Sequence, residues 1–393
     1  MTVKMKSRFL GLLLGICLVL GACGEQVQHP DTTEPPVEKT EAVVEAAYDV
    51  LPVEENYYQY GNMQKNIPSG NYMLYGDEVV FEVLQEQSIL YSYDLNTGEV
   101  GLFCKEADCP HHAGSCVSVN TVFCNLEQYG GKLYGVDFTT SRVRELVDGR
   151  FQTVINNGKE SYWYSPGAFA VGNFWHSYGE LYVVTGGNAL LIYEEKSSEP
   201  RWVLEDYGAY WNVVFGRYLY GNNQKKLTRL DLLADNPEEE VLLEDVTAIV
   251  EGSHIYYVDT RYDDKSDAKG TFFLYRCDME GENRDLLLDK PVLPASLNFD
   301  DEYIYFRLLT EQKLKNTEDS RDIYRMSKAD PTQIEKIATL PESAYQIFTV
   351  PGTGLLFVTT CSDQIDGVNY YEIYVMNTDG SNLRMLELPQ IDK

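Results

Sequence analysis

An all-β fold, a β-propeller of about seven four-stranded blades, is the architecture this sequence predicts. Three observations point to it. A short aromatic strand recurs seven times at blade-like spacing. Turn residues punctuate the chain, and no long apolar stretch with a 3.6-residue period follows Asn56. Tyrosine is abundant, at 30 copies in 393 residues, and it favours strands and half-buried surfaces.

The aromatic strand reads E-V-V-F from Glu78, K-L-Y-G from Lys132, E-L-Y-V from Glu180 and Y-L-Y-G from Tyr218. It continues as H-I-Y-Y from His254, Y-I-Y-F from Tyr303 and G-L-L-F from Gly354. The matched positions Val80, Tyr134, Tyr182, Tyr220, Tyr256, Tyr305 and Leu356 lie 54, 48, 38, 36, 49 and 51 residues apart. A second strand follows in most copies, as in L-T-R-L-D from Leu227 and F-L-Y-R-C-D from Phe273. Several copies then turn through a glycine, at Asn96-Thr97-Gly98, Glu280-Gly281 and Asp379-Gly380. An apolar strand closes the unit, as from Asp285 to Leu288 and from Met385 to Leu388. One such unit cannot bury both faces alone, whereas radial stacking can. Stacking also explains apolar runs such as Ile255-Tyr256-Tyr257-Val258 in place of strict alternation.

Residues 1–22 read as a lipoprotein signal peptide. Lys4, Lys6 and Arg8 precede an apolar stretch from Phe9 to Leu20, too short for a comfortable membrane span. Leu20-Gly21-Ala22-Cys23 then resembles the lipobox of bacterial lipoproteins, which implies cleavage before Cys23 and acylation of that residue. Acyl chains on Cys23 would anchor the protein to the outer face of a cell membrane. Residues 23–55, rich in acids, Pro and Thr, read as an extended tether, and 56–393 as the propeller. The balance is acidic, 61 Asp+Glu against 32 Lys+Arg for a net charge of -29, which argues against nucleic acid as a partner.

The stretch H-I-Y-Y-V-D-T from His254 resembles the Tyr-Trp-Thr-Asp propellers of low-density-lipoprotein-receptor type, with Tyr257 in place of the Trp. L-Y-R-C-D-M-E-G from Leu274 and I-Y-V-M-N-T-D-G from Ile373 resemble TolB-like propeller repeats. The whole layout of lipobox, acidic linker and repeat is similar to propeller lipoproteins of unknown function in Gram-positive anaerobes. The resemblance implies the architecture and an extracytoplasmic place, and it names no ligand.

The sharpest local feature is an insertion at 104–124 between the first and second blades. Cys104, Cys109, His111 and Cys116 have the form C-x4-C-x-H-x4-C, with Cys124 eight residues on. Two chemistries suit this set. Three thiolates and an imidazole make a closed tetrahedral zinc site. Disulfides are the alternative, since export permits them. Trp163, Trp175, His176 and Trp211 are candidate ligand-binding residues, because Trp175 and Trp211 each precede an aromatic strand. Packing between blades is the other use such residues have.

Catalytic signatures are absent: there is no G-x-S-x-G elbow, no H-E-x-x-H and no phosphate-binding glycine loop. The expected function is therefore non-catalytic binding of a protein, peptide or glycan by a lipid-anchored module. The alternative is a propeller enzyme acting on carbohydrate or peptide through carboxylates at the channel mouth.

Overall fold

The computed structural model describes residues 72–84, 88–112, 116–120, 123–137, 142–153, 173–177, 180–184, 189–194, 200, 202–204, 207, 211–215, 217–222, 226–234, 238–252, 254–259, 272–309, 321–342, 344–350, 352–365 and 368–391. The signal peptide and tether lie outside them. Blade 1 comprises β1 (Tyr72–Tyr75), β2 (Glu78–Leu84), β3 (Ser88–Asp94) and β4 (Val100–Leu102), with a short β5 (Val119–Asn120). Blade 2 comprises β6 (Phe123–Tyr129), β7 (Lys132–Asp137), β8 (Arg142–Val147) and β9 (Arg150–Thr153). Blade 3 comprises β10 (Asn173–Ser177), β11 (Glu180–Val184), β12 (Leu190–Glu194) and β13 (Trp202–Leu204). Blade 4 comprises β14 (Trp211–Phe215), β15 (Tyr218–Asn222), β16 (Lys226–Asp231) and β17 (Glu240–Glu244). Blade 5 comprises β18 (Val246–Glu251), β19 (His254–Asp259), β20 (Leu274–Cys277) and β21 (Asp285–Leu288). Blade 6 comprises β22 (Asn298–Phe299), β23 (Tyr303–Phe306), β24 (Asp322–Ser327) and β25 (Ile334–Thr339). Blade 7 comprises β26 (Ala344–Val350), β27 (Leu355–Ile365), β28 (Val368–Asn377) and β29 (Arg384–Met385).

Each blade is a four-stranded antiparallel meander taken from contiguous chain, and the seven together form a β-propeller. The seven aromatic strands of the sequence are the second strands, β2, β7, β11, β15, β19, β23 and β27. The first strands gather at the centre: β1 lies against β6 and β26, β10 against β6, and β22 against β26. The core sits between blades. Tyr182, Leu219 and Leu230, for instance, share one apolar cluster across blades 3 and 4.

The turn after the third strand has a repeated cause. An Asp ending that strand accepts backbone N–H groups from the turn, Asp94 from Asn96 and Thr97, and Asp278 from Glu280 and Glu282. A left-handed glycine then finishes the turn, Gly98, Gly281 or Gly380. These donors hold the carboxyls of Asp94 and Asp278 below their ordinary range.

Arginines opposite the aromatic strand link successive blades. Arg229 of β16 pairs with Glu280 in the turn of blade 5 at 2.7 Å. Arg276 of β20 donates to the Lys328 carbonyl of blade 6, and Arg325 of β24 to the Thr378 carbonyl of blade 7. In blade 7 the link comes from another position: Arg384 of β29, opposite Val375 of β28, reaches the Gly98 carbonyl of blade 1.

Candidate functional site

The Cys/His segment is an excursion within the outer edge of blade 1, whereas the sequence predicts a loop between blades. β4 runs along β3 until Phe103 N–H donates to the Leu90 carbonyl. The chain then departs and returns at Ser118, whose carbonyl accepts from Leu90 N–H, and β5 resumes the pairing with Ile89 and Ser88. Phe103 and Ser118 thus mark the two ends of a break in one strand, both fixed to Leu90. The Ser118 hydroxyl accepts from Cys104 N–H and ties the neck of the loop.

Inside the loop, Cys104, Cys109, His111 and Cys116 converge, their ligand atoms all within 4.8 Å of one another. His111 Nδ1 is 3.2 Å from Cys116 Sγ. Ser118 N–H donates to Cys116 Sγ at 3.3 Å. The backbone N–H of His111 points at Cys109 and lowers its thiol pKa, whereas burial pushes the Cys116 thiol up to about 12. His111 makes this approach possible by adopting φ 50, a left-handed conformation, directly after Pro110. The three thiols are free. A zinc tetrahedron with these donors has sulfur–sulfur edges of about 3.8 Å, so the group fits a metal with little contraction. Cys124 lies in β6 with its backbone opposite Val136, and its side chain is outside the described residues.

Trp163 lies outside the described residues. Trp175 and Trp211 sit on the first strands β10 and β14, with their backbones opposite Tyr182 and Asn222, and their side chains are likewise outside the description. His176 is buried at 6% exposure and holds two blades together. Its backbone N–H and Nδ1 both meet the Glu127 carboxylate of β6, at 2.6 and 2.9 Å. Its ring packs between Tyr129 and Tyr134 at 5.0 and 4.3 Å. Glu127 escapes sequence reasoning because it is 49 residues from His176 and belongs to another blade. Cys277 is buried in β20, and burial pushes its thiol up to about 12.

Clefts open between blades. One of about 420 Å³ lies beside the Cys/His loop and is lined by Tyr75, Phe103, Cys104, Cys116, Leu146 and Arg150. One of about 600 Å³ between blades 4 and 5 carries the stacked rings of Tyr257 and Tyr275, with Asp259 and Arg284. One of about 640 Å³ between blades 5 and 6 carries His254, Tyr256, Arg276, Tyr303 and Lys328. Aromatic faces with a few convergent polar groups are the composition of small-ligand sites.

No protein-family model matches the chain, and no characterised protein matches it in sequence. Solved structures match it in architecture. The β-propeller domain of the Trilobed protease from Pyrococcus furiosus is 12% identical with a TM-score of 0.49, over 81% of this chain and 97% of that one. The computationally designed Ika8 protein is 10% identical with a TM-score of 0.46, over 83% and 88%. BamB from Moraxella catarrhalis is 12% identical with a TM-score of 0.40, over 77% and 81%. Other matched chains are longer: this chain spans 55% of the one matched in an S. cerevisiae Dbp5 complex with Nup159 and Gle1, and 39% of the tricorn protease.

Proposed function

We propose that this chain is a lipid-anchored, extracytoplasmic propeller that binds a ligand or partner and performs no chemistry on it. The observation that carries the reading is the set of open clefts between blades, each lined by aromatic and charged side chains. Leu20-Gly21-Ala22-Cys23 supports the anchor and the place on the outer membrane face. The Cys/His loop adds a structural zinc held by Cys104, Cys109, His111 and Cys116. Disulfides would leave the imidazole without a task, whereas a metal engages all four of these converging donors.

The test uses the full chain expressed in a bacterial host. The wild type partitions with membranes and incorporates labelled fatty acid, and Cys23→Ala is released and unlabelled. The released Cys23→Ala protein is then offered a panel of glycans and peptides. Saturable binding without turnover is expected, and turnover of any member would sink the non-catalytic reading.

A further inference from the structure

The three consecutive arginines of the repeat are not equivalent. Arg229, Arg276 and Arg325 stand opposite Tyr220, Tyr256 and Tyr305 at the same register position. In blades 4 and 6 the guanidinium lies over a tyrosine of its own blade, Arg229 over Tyr218 at 4.7 Å and Arg325 over Tyr303 at 4.3 Å. Each also has close acid partners: Arg229 meets Glu240 and Glu280 at 2.6 and 2.7 Å, and Arg325 meets Glu335. Blade 5 departs from this pattern. His254 replaces the tyrosine and lines the cleft of about 640 Å³. The Arg276 fork meets the Tyr256 hydroxyl, as Arg229 meets that of Tyr220, but it reaches Asp285 only at 3.5 Å and the Lys328 carbonyl at 3.4 Å, both near the limit of hydrogen bonding. Its side chain is 24% exposed, against 11% for Arg229 and 15% for Arg325. Arg276 is therefore the loosely held arginine of the three, and it faces the open cleft.

The rest of the cleft narrows the ligand. Lys328 is held by the buried Glu251 at 2.8 Å, so that charge is already matched. Asp301 and Glu302 line the blade 6 side. Those carboxylates disfavour a doubly charged phosphate and accept hydroxyl hydrogen bonds well. Burial and the Arg276 charge hold the His254 pKa below its ordinary value, so at neutral pH the ring is a neutral surface. His254 offers a flat face on which the C–H side of a sugar ring packs, whereas Tyr256 is buried and the Tyr303 ring lies under the Arg325 guanidinium. One loosely held guanidinium fork, acceptors for hydroxyls and one aromatic face together match a sugar bearing a single carboxylate.

We propose that the cleft between blades 5 and 6 binds an acidic sugar of the uronic-acid class, with Arg276 receiving the carboxylate and Asp301 and Glu302 the hydroxyls. The proposal rests on the binding-module reading and names the ligand class for it. The test is calorimetric titration of the Cys23→Ala chain with an aldobiouronate (one uronic acid joined to one neutral sugar), a neutral galactose disaccharide and a dipeptide with a free carboxylate. The aldobiouronate binds and the other two bind at least about tenfold more weakly, the neutral sugar because it lacks the charge-assisted fork and the dipeptide because it lacks the hydroxyls. Arg276→Ala weakens aldobiouronate binding by about ten- to a hundredfold. His254→Tyr restores the ring that blades 4 and 6 carry, so it folds with an unchanged melting temperature and loses binding. Unchanged aldobiouronate affinity in His254→Tyr, or preference for the neutral sugar or the dipeptide, overturns the uronic-acid assignment and leaves the binding-module reading standing. Cleavage of the bound aldobiouronate would leave the ligand class standing and overturn the non-catalytic reading instead.

Discussion

At the scale of single residues, the Cys/His loop and the His176 pair show what makes a site legible. Cys104, Cys109, His111 and Cys116 lie within one short stretch, so their spacing alone announces a cluster, and the structure brings all four together. The Glu127–His176 pair is equally tight, yet its members belong to strands of different blades, and no local pattern joins them. Sequence proximity groups His176 with the tryptophans as a ligand contact, whereas its ring and both hydrogen bonds are engaged inside the protein. Zinc at the loop gives a definite expectation. Elemental analysis of the purified chain yields about one zinc per molecule, because three thiolates and an imidazole close the coordination sphere. Cys116→Ser weakens zinc retention by about tenfold or more, since even indirect partners of metal ligands carry effects of that size. Absence of metal together with a disulfide among Cys104, Cys109 and Cys116 would reject the zinc reading.

At the scale of elements, the repeat is legible where each copy solves the same local problem. The second strand keeps its aromatic pattern because it is buried between blades, and the turn after the third keeps Asp and Gly because its backbone needs both. First strands share no such pattern: β1 reads Y-M-L-Y and β18 reads V-T-A-I-V-E. No shared turn constrains them, so packing decides their residues. Glycine at the turn does two tasks that mutation separates. Gly354 has φ 68 and open space where a Cβ would stand, so Gly354→Ala adds only left-handed strain, about 1 kcal/mol. Gly380 has φ 84, and a Cβ there would overlap the Ile337 carbonyl of the neighbouring blade. Gly380→Ala is expected to cost about 3 kcal/mol, the strain plus an overpacking cost. Urea unfolding of the two variants measures the difference, and equal costs would mean that the turn of blade 7 does not press on β25.

At the scale of the whole molecule, seven contiguous blades pose the problem of closing a ring whose first and last blades share no strand among the described residues. The two blades meet through side chains. Tyr72 of β1 packs on Phe348 and Phe357 of blade 7 at 4.7 and 4.8 Å, and its hydroxyl is 3.2 Å from Thr359 Oγ1. The Tyr91 hydroxyl donates to the Pro389 carbonyl, and Arg384 reaches Tyr93 and Gly98. One apolar cluster runs through both blades, from Val79 and Phe81 to Ile373 and Leu386. This closure is hidden in the sequence because its partners are so far apart along the chain, Tyr72 and Thr359 being 287 residues distant. It also makes a graded prediction. Tyr72→Phe keeps the ring stack and loses one hydrogen bond, at a cost of about 1 kcal/mol. Tyr72→Ala removes a buried ring from the seam and is expected to cost about 3–5 kcal/mol. If the seam is what makes the propeller one cooperative unit, Tyr72→Ala also speeds amide hydrogen exchange in β1 and β26 well before β14 to β21 respond. A uniform rise in exchange across all seven blades would show instead that cooperativity is spread evenly over the blade junctions, with the arginine links of blades 4 to 7 carrying as much of it as the seam.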